Sequence, residues 1–172
     1  MLAALSFDDG PDAETTPYVL DVLEQYHISA SFFLIGRQIT DDMIPLVRRE
    51  TELGCSIECH SWSHVKMTAL DAAAVRGEIS RTDDRIESIT GRRPVFFRPP
   101  YIDVNDALFD EVDKPFICGM GVEDWVPSVS AAERSSRIVS GVQDGTIILL
   151  HDRPENRNTP DALETAVPEL LA

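Results

Sequence analysis

Short apolar stretches alternate along the whole chain with longer segments in which apolar residues recur every three or four positions. The short stretches predict strands that are buried on both faces, and the longer segments predict amphipathic helices. No shift in composition marks a linker, so the alternation predicts a single α/β domain over residues 1–172. The predicted strands cover residues 2–7, 28–35, 55–59, 95–98, 116–120 and 146–150.

The predicted helices are bounded by capping signals as well as by their apolar faces. Thr15 or Thr16 is suited to cap a first helix, with Pro17 at its first helical position. The longest helix is predicted over residues 71–90, and Gly91 ends it. Further helices are predicted over residues 41–53, 106–112, 131–142 and 160–171.

Polar residues with catalytic potential follow directly on several predicted strands. Asp8 and Asp9 follow the first predicted strand, His60 follows the third, and His151 follows the last. Arg98 lies at the end of the fourth predicted strand, residues 95–98. The carboxyl ends of parallel strands meet on one face of a barrel, and active sites are built there. An open doubly wound sheet would gather fewer of these positions at one place. The pattern therefore favours a distorted (β/α) barrel with its active site at the C-terminal strand ends.

Composition narrows the classes of partner. The chain has 30 acidic against 15 basic residues and a formal charge of -15, so its field repels nucleic acids and anionic lipids. No apolar run approaches the roughly 20 residues needed to span a bilayer. We therefore expect no nucleic acid partner and no membrane span. A monomer is the expected oligomeric state, although neither charge nor hydropathy determines it. A neutral substrate, or one met through a bound cation, suits this charge.

The three cysteines, Cys55, Cys59 and Cys118, lie in apolar stretches without the CxxC spacing of common metal sites. They are predicted to be buried free thiols. A thiolate metal site with His60 is disfavoured, because Cys59 and His60 would point to opposite faces of an extended segment.

Two imidazoles and two carboxylates form the first chemical constellation. His60 and His64 are four residues apart, a spacing that lets both reach one ion from a helical turn or a compact loop. One carboxylate of the pair Asp8-Asp9 would complete the three-ligand set of a hydrolytic zinc site, and the other would remain as a base. The alternatives are surface or capping histidines beside an ordinary Asp-Gly-Pro turn.

The remaining motifs offer an acid, an anchor for the base and a pocket wall. Arg98 can hold a carboxylate ionised, and the rigid Pro99-Pro100 pair suits a Tyr101 amide that points at an oxyanion. His151 is either a general acid or a capped histidine at a strand end. Asp124 can keep that imidazole protonated, and Trp125 can form a pocket wall. Structural salt bridges and core packing are the competing interpretations of these residues.

Taken together, five ordered motifs resemble the polysaccharide deacetylases, the family 4 carbohydrate esterases. The resemblance covers nearly the whole chain. Its motifs are Ser6-Phe7-Asp8-Asp9-Gly10-Pro11, His60-Ser61-Trp62-Ser63-His64, Arg98-Pro99-Pro100-Tyr101, Asp124-Trp125 and Leu149-Leu150-His151. It implies a barrel of about seven parallel strands. The family usually adds a strand after the last helix, so we expect a barrel that lacks one closing strand.

The resemblance also implies a role for each site residue. It makes Asp9, His60 and His64 the ligands of one divalent metal ion, with zinc expected and cobalt or nickel as substitutes. Ser61 would bond within the histidine loop. The other implied roles are Asp8 as base, Arg98 as its anchor, the Tyr101 amide at the oxyanion, Asp124 tuning His151, His151 as acid, Trp125 lining the pocket and Leu149 contacting the acetyl methyl.

The resemblance implies a secreted or cell-wall-associated enzyme that releases acetate from a polysaccharide or oligosaccharide. The residues Gly121-Val122-Glu123 depart from the pattern common before Asp124-Trp125, whereas residues 145–152 are similar to acetylxylan esterases. O-acetylated xylan and N-acetylglucosamine polymers such as chitin or peptidoglycan both remain open as substrates. The alternatives are a carbohydrate-binding protein that has lost catalysis and, less favoured, a hydrolase with a serine nucleophile, because no glycines flank Ser61 or Ser63.

Overall fold

A computed structural model describes all 172 residues, and its framework is one parallel sheet of five strands. The strand order is β3-β2-β1-β5-β4, so the first strand lies in the centre with crossover connections on both sides. Apolar side chains on both faces bury the central strands, as the continuous apolar runs predict. The strands are β1 (Ala3–Asp8), β2 (Ser31–Leu34), β3 (Ser56–Cys59), β4 (Met120–Gly121) and β5 (Thr146–His151).

The seven-strand barrel expected from the sequence is not confirmed. Beyond β3, the sheet continues only through single parallel bridges that join Phe97 to Cys59 and to Phe116. Residues 115–121 thus contact Phe97 on one side and pair with β5 through β4 on the other, which curves the sheet toward closure. Pro94 and Pro99 flank the first irregular segment, residues 95–98, and Pro115 precedes the second, residues 116–119. Each proline lacks an amide donor, so neither segment forms a regular strand.

Five helices lie between the strands and a sixth follows the last one, and their ends follow the capping chemistry. Asp71 accepts a hydrogen bond from the amide of Ala74 at 2.8 Å, and Gly91 ends the longest helix with a φ of 71°. Thr15 occupies the cap position of the first helix without a side-chain bond to its backbone. The helices are α1 (Thr16–Tyr26), α2 (Ile44–Glu52), α3 (Ala72–Thr90), α4 (Asp106–Glu111), α5 (Ala131–Gly141) and α6 (Asn158–Leu171). None of them combines the length and apolar character that crossing a membrane requires.

Two apolar clusters hold these layers together. The larger one joins the sheet to the surrounding helices through residues such as Phe7, Leu23, Phe32 and Leu163. The smaller one, which includes Cys59, Met67 and Phe97, packs α3 and α4 against the irregular edge. The carboxyl ends of the strands remain open as a cleft.

All three cysteines are free. Cys55 and Cys59 are buried as predicted, and burial raises the pKa of the Cys55 thiol to about 11. Burial also raises the pKa of Cys59, which disfavours a thiolate metal ligand at neutral pH. The prediction for Cys118 was wrong: this side chain is exposed because its segment forms no regular buried strand.

Candidate active site and metal centre

Parallel pairing brings the polar strand ends to one cleft. Asp8 and His151 lie directly opposite each other in the register of β1 and β5, and His60 follows β3 on the other side of β2. The cleft has a volume of about 390 Å³. Its walls are Asp8, Asp9, His60, His64, Tyr101, Ile102, Gly119, Gly121, Trp125, Leu149, His151 and Arg153.

Asp9, His60 and His64 converge at the base of the cleft. The Asp9 Oδ1 atom lies 3.0 Å from His64 Nε2 and 3.4 Å from His60 Nε2. One ligand atom from each residue lies within 4.8 Å of the others, close enough for a single ion. Asp9 Oδ1 is buried and has no hydrogen-bond donor, an orphan that a divalent cation would satisfy. The donor set of two imidazoles and one carboxylate therefore fits a catalytic metal site.

Electrostatics keep Asp9 in the ligand form. Burial alone would raise the pKa of this carboxyl. The two imidazoles of His60 and His64, both close to this carboxyl, outweigh that cost and hold its pKa far below the usual range. Asp9 is therefore ionised at any pH where the protein works.

Hydrogen bonds orient the His60 imidazole and hold the backbone of the loop that carries His64. His60 Nδ1 donates to the carbonyl of Arg98 at 2.7 Å, which leaves Nε2 unprotonated and free for an ion. The Ser61 hydroxyl accepts from the amide of His64 at 3.0 Å, a bond within the loop that the resemblance implied. Glu78 of α3 accepts from the amides of Trp62 and Ser63 at 2.9 and 2.7 Å.

Glu78 is a functional support that sequence reasoning missed. Its position in a helix is indistinguishable in sequence from the solvent-facing charges around it. The loop that it holds is strained, because Ser61 and His64 adopt left-handed φ values of 64° and 57°. The carboxylate of Glu78 therefore compensates for part of the cost of presenting both imidazoles from one short loop.

Asp8 is paired with a completely buried arginine. Arg98 Nη1 donates to Asp8 Oδ1 at 2.6 Å, while Nη2 donates to Ser6 Oγ at 3.0 Å and Nε to the Ile117 carbonyl at 3.1 Å. The guanidinium plane also packs on the Phe33 ring, 4.1 Å from its centroid. The second oxygen of Asp8, Oδ2, lies 3.9 Å from His60 Nε2 and is therefore next to the candidate metal site.

The backbone after Arg98 presents an unused donor. The Tyr101 amide makes no hydrogen bond to any backbone or side-chain acceptor in the chain. Tyr101 and Ile102 have consecutive left-handed φ values of 62° and 52°, which is unusual for a β-branched residue such as Ile102. Such strain is typical of functional sites, and here it lies at the rim of the cleft.

His151 is held by Asp124 from two directions. The two Asp124 oxygens accept from His151 Nδ1 and from the His151 amide, both at 2.7 Å. Burial works against imidazole protonation, but the hydrogen bond and charge of Asp124, with the charges of Asp8 and Asp9, raise the pKa of His151. The Trp125 ring stands edge-on to the imidazole, with 5.5 Å between ring centroids. His151 therefore lines the cleft as a side chain predisposed to carry a proton.

Four residues of the cleft wall were not singled out from the sequence: Ile102, Gly119, Gly121 and Arg153. The two glycines are needed for space. A Cβ atom on Gly121 would approach the Trp125 indole to 3.2 Å, and one on Gly119 would meet Leu149. Glycines inside an apolar segment often mark such close approach, so the Gly119-Met120-Gly121 spacing was the available signal.

Comparison with known proteins identifies the family. Residues 2–114 match the family described as polysaccharide deacetylase, and the chain belongs to this family. It is 44% identical over 162 residues to the bifunctional xylanase/deacetylase of Pseudobutyrivibrio xylanivorans. This alignment covers 94% of this chain and 27% of that protein. It is also 34% identical to the peptidoglycan-N-acetylglucosamine deacetylase of Listeria monocytogenes serotype 1/2a, over 97% of this chain and 35% of that protein.

A solved structure extends the likeness to three dimensions. The family 4 acetyl xylan esterase from Clostridium thermocellum, determined in complex with a cobalt ion, superposes with a TM-score of 0.97 at 41% identity. The match covers 99% of this chain and 84% of that chain. By contrast, the chain spans only about a quarter to a third of the length of the two curated relatives. These relatives are named as deacetylases and esterases.

Proposed function

We propose that this domain is a metal-dependent deacetylase that hydrolyses acetyl esters of O-acetylated xylan. The observation that carries the proposal is the orphaned, buried oxygen of Asp9 between the Nε2 atoms of His60 and His64. These three residues would hold one divalent ion. Zinc is the expected ion, and cobalt or nickel would suit the same donors.

A cation held there supplies Lewis acidity toward the acetyl carbonyl and makes water easier to deprotonate. Asp8 accepts the proton from the attacking water, and Arg98 keeps this carboxylate in place. The Tyr101 amide donates to the carbonyl oxygen as negative charge develops on it. His151 then donates its proton to the departing sugar oxygen, and Asp124 stabilises the imidazolium before that transfer.

The substrate follows from the relatives and the cleft wall. The two relatives above 40% identity are named for xylan, and the one at 34% is named for peptidoglycan. Trp125 is 42% exposed and available for a sugar ring, while Leu149 offers an apolar contact for an acetyl methyl. Because xylan and peptidoglycan lie outside the cytoplasm, we infer that the domain acts there.

The test compares acetate release from acetylated xylan, chitooligosaccharide and peptidoglycan under the same conditions. We expect release from acetylated xylan, loss of release after chelation and its return on adding a divalent metal. A protein that binds xylan yet releases no acetate with any metal would contradict the proposal and support a carbohydrate-binding function. Acetate release from peptidoglycan alone would identify cell-wall glycans, and not xylan, as the substrate.

The substitution Asp8→Asn tests the role of Asp8 as the general base. The substitution retains the shape and an acceptor for Arg98 but removes the proton acceptor, and general-base catalysis typically contributes about 10²–10⁴-fold. We expect a loss of this order in kcat with metal content unchanged, because Asp8 lies outside the ligand set. Full activity of this variant would remove Asp8 from the role of base.

A further inference from the structure

Arg153 is a charged side chain of the cleft that the proposed reaction does not use. It lies two residues after His151, on the loop between β5 and α6, and lines the same cleft. Its Nη2 atom donates to the carbonyl of Trp125 at 3.0 Å. Its Nε atom is buried and has no acceptor. One edge of the guanidinium is thus anchored, and another donor lacks a partner.

The charge of Arg153 is also uncompensated. No carboxylate of the chain forms an ion pair with it, although acidic residues outnumber basic ones two to one. Asp8 and Asp9 do not pair with Arg153, because Asp8 pairs with Arg98 and Asp9 faces the two imidazoles at the base of the cleft. A guanidinium with free donors has the geometry to bind a carboxylate.

We propose that Arg153 binds a carboxylate carried by the glycan, so that the cleft prefers acetyl groups close to an acidic sugar substituent. This inference rests on the proposed deacetylase function. In a protein with a charge of -15, the overall field repels an acidic glycan, so a local cation is required to accept one. A uronic acid branch of xylan and the lactyl carboxylate of muramic acid share this chemistry.

Binding to the intact protein separates these sources without depending on turnover. The first pair of probes is a xylo-oligosaccharide with a glucuronic acid branch and its unbranched counterpart. The second pair is an N-acetylglucosamine–N-acetylmuramic acid disaccharide and chitobiose. Calorimetry at low ionic strength gives the ratio of Kd values within each pair. We expect the acidic member of the xylan pair to bind at least about tenfold more tightly, and the ratio to fall as salt is added.

Arg153→Gln is expected to bring this ratio close to one, and Arg153→Lys to retain part of it. Arg157→Gln is the matched control: Arg157 belongs to the same loop and carries the same charge, but it stacks on Tyr18 outside the cleft. Its ratio should equal that of the unmodified protein. If only the second pair shows a preference for its acidic member, the result would support a carboxylate-binding site at Arg153. It would also indicate that this site recognises cell-wall glycans.

Two results would overturn the inference. One is equal affinity of the unmodified protein for both members of each pair. The other is an Arg153→Gln variant that weakens acidic and neutral ligands equally, which would make Arg153 a support for Trp125 only. Failure of the proposed function has a separate signature, namely no acetate release from any glycan while the carboxylate preference persists.

Discussion

Replacing Asp124 by Asn tests whether Asp124 keeps His151, the proposed acid, protonated. Asp124 is fully buried and accepts four hydrogen bonds, two from His151 at 2.7 Å, one from Thr159 at 2.9 Å and one from Asn156 at 3.3 Å. The amide of Asn retains one acceptor oxygen, so the imidazole can remain in place. The substitution therefore removes the negative charge with little change in shape.

The expected loss follows from the charged hydrogen bond. A hydrogen bond to an ionised partner typically contributes about 1.5–3 kcal/mol, and each 1.36 kcal/mol of barrier is a factor of ten in rate. We therefore expect kcat to fall by about 10- to 100-fold at mildly alkaline pH. Asp124 raises the pKa of His151, so the variant pKa is lower and the alkaline limb of the rate profile moves to lower pH. Asp8 and Asp9, whose charges also raise the pKa of His151, remain and limit the movement.

The assay is the pH dependence of kcat for acetate release, with metal content measured in parallel. Glu123→Gln is the matched control, because the neighbouring Glu123 has the same charge but is exposed and pairs with Arg137 outside the cleft. The reasoning is refuted if Asp124→Asn keeps the alkaline limb where it was, or moves it to higher pH. A loss of bound metal would instead show damage beyond His151.

Two further substitutions test the proposed metal site, through His64, and the buried carboxyl of Asp152. His64→Ala removes one of three ligands, so metal affinity measured by competition with a chelator should fall by at least about tenfold; unchanged affinity would exclude His64 as a ligand. Asp152→Asn should stabilise the metal-free protein by up to about 4 kcal/mol above about pH 7, with little effect near pH 4. Burial raises the pKa of Asp152 to about 7, so the native state keeps a proton that the unfolded chain loses from about pH 4. The stability that this proton gives the native protein is therefore lost as the pH rises from about 4 to about 7. Urea unfolding at both pH values measures the difference, and exposed Asp110→Asn should show none.

Much of the site could be predicted because it obeys a local rule. Asp8, His60 and His151 each follow an apolar run, and parallel pairing then places these ends together whatever the rest of the chain does. The three candidate metal ligands come together for the same reason, since Asp9 is adjacent to Asp8 and His64 lies within reach of His60.

What the sequence left undetermined depends on contacts between distant segments. Glu78 acts on the histidine loop from a helix more than ten residues away, and Arg153 acquires its place in the cleft through the Trp125 carbonyl. The closure of the sheet likewise depends on whether residues 95–98 and 116–120 hydrogen-bond regularly. Their apolar character predicts strands, but next to the prolines only single bridges form, and the second segment becomes a strand only at β4. These long-range contacts therefore cannot be predicted from any local sequence pattern.

Four aspartates around the cleft show that environment, more than residue type, assigns the chemistry. Asp8 and Asp9 are adjacent, yet the left-handed φ of 73° at Asp9 turns the chain, so that one carboxylate contacts Arg98 and the other the histidines. Asp124 is surrounded by donors, whereas Asp152 has a hydroxyl donor, Thr16, and an oxygen with no partner. The same Asp-to-Asn change should therefore abolish proton transfer at Asp8, weaken metal binding at Asp9, displace a pH limb at Asp124 and stabilise the fold at Asp152.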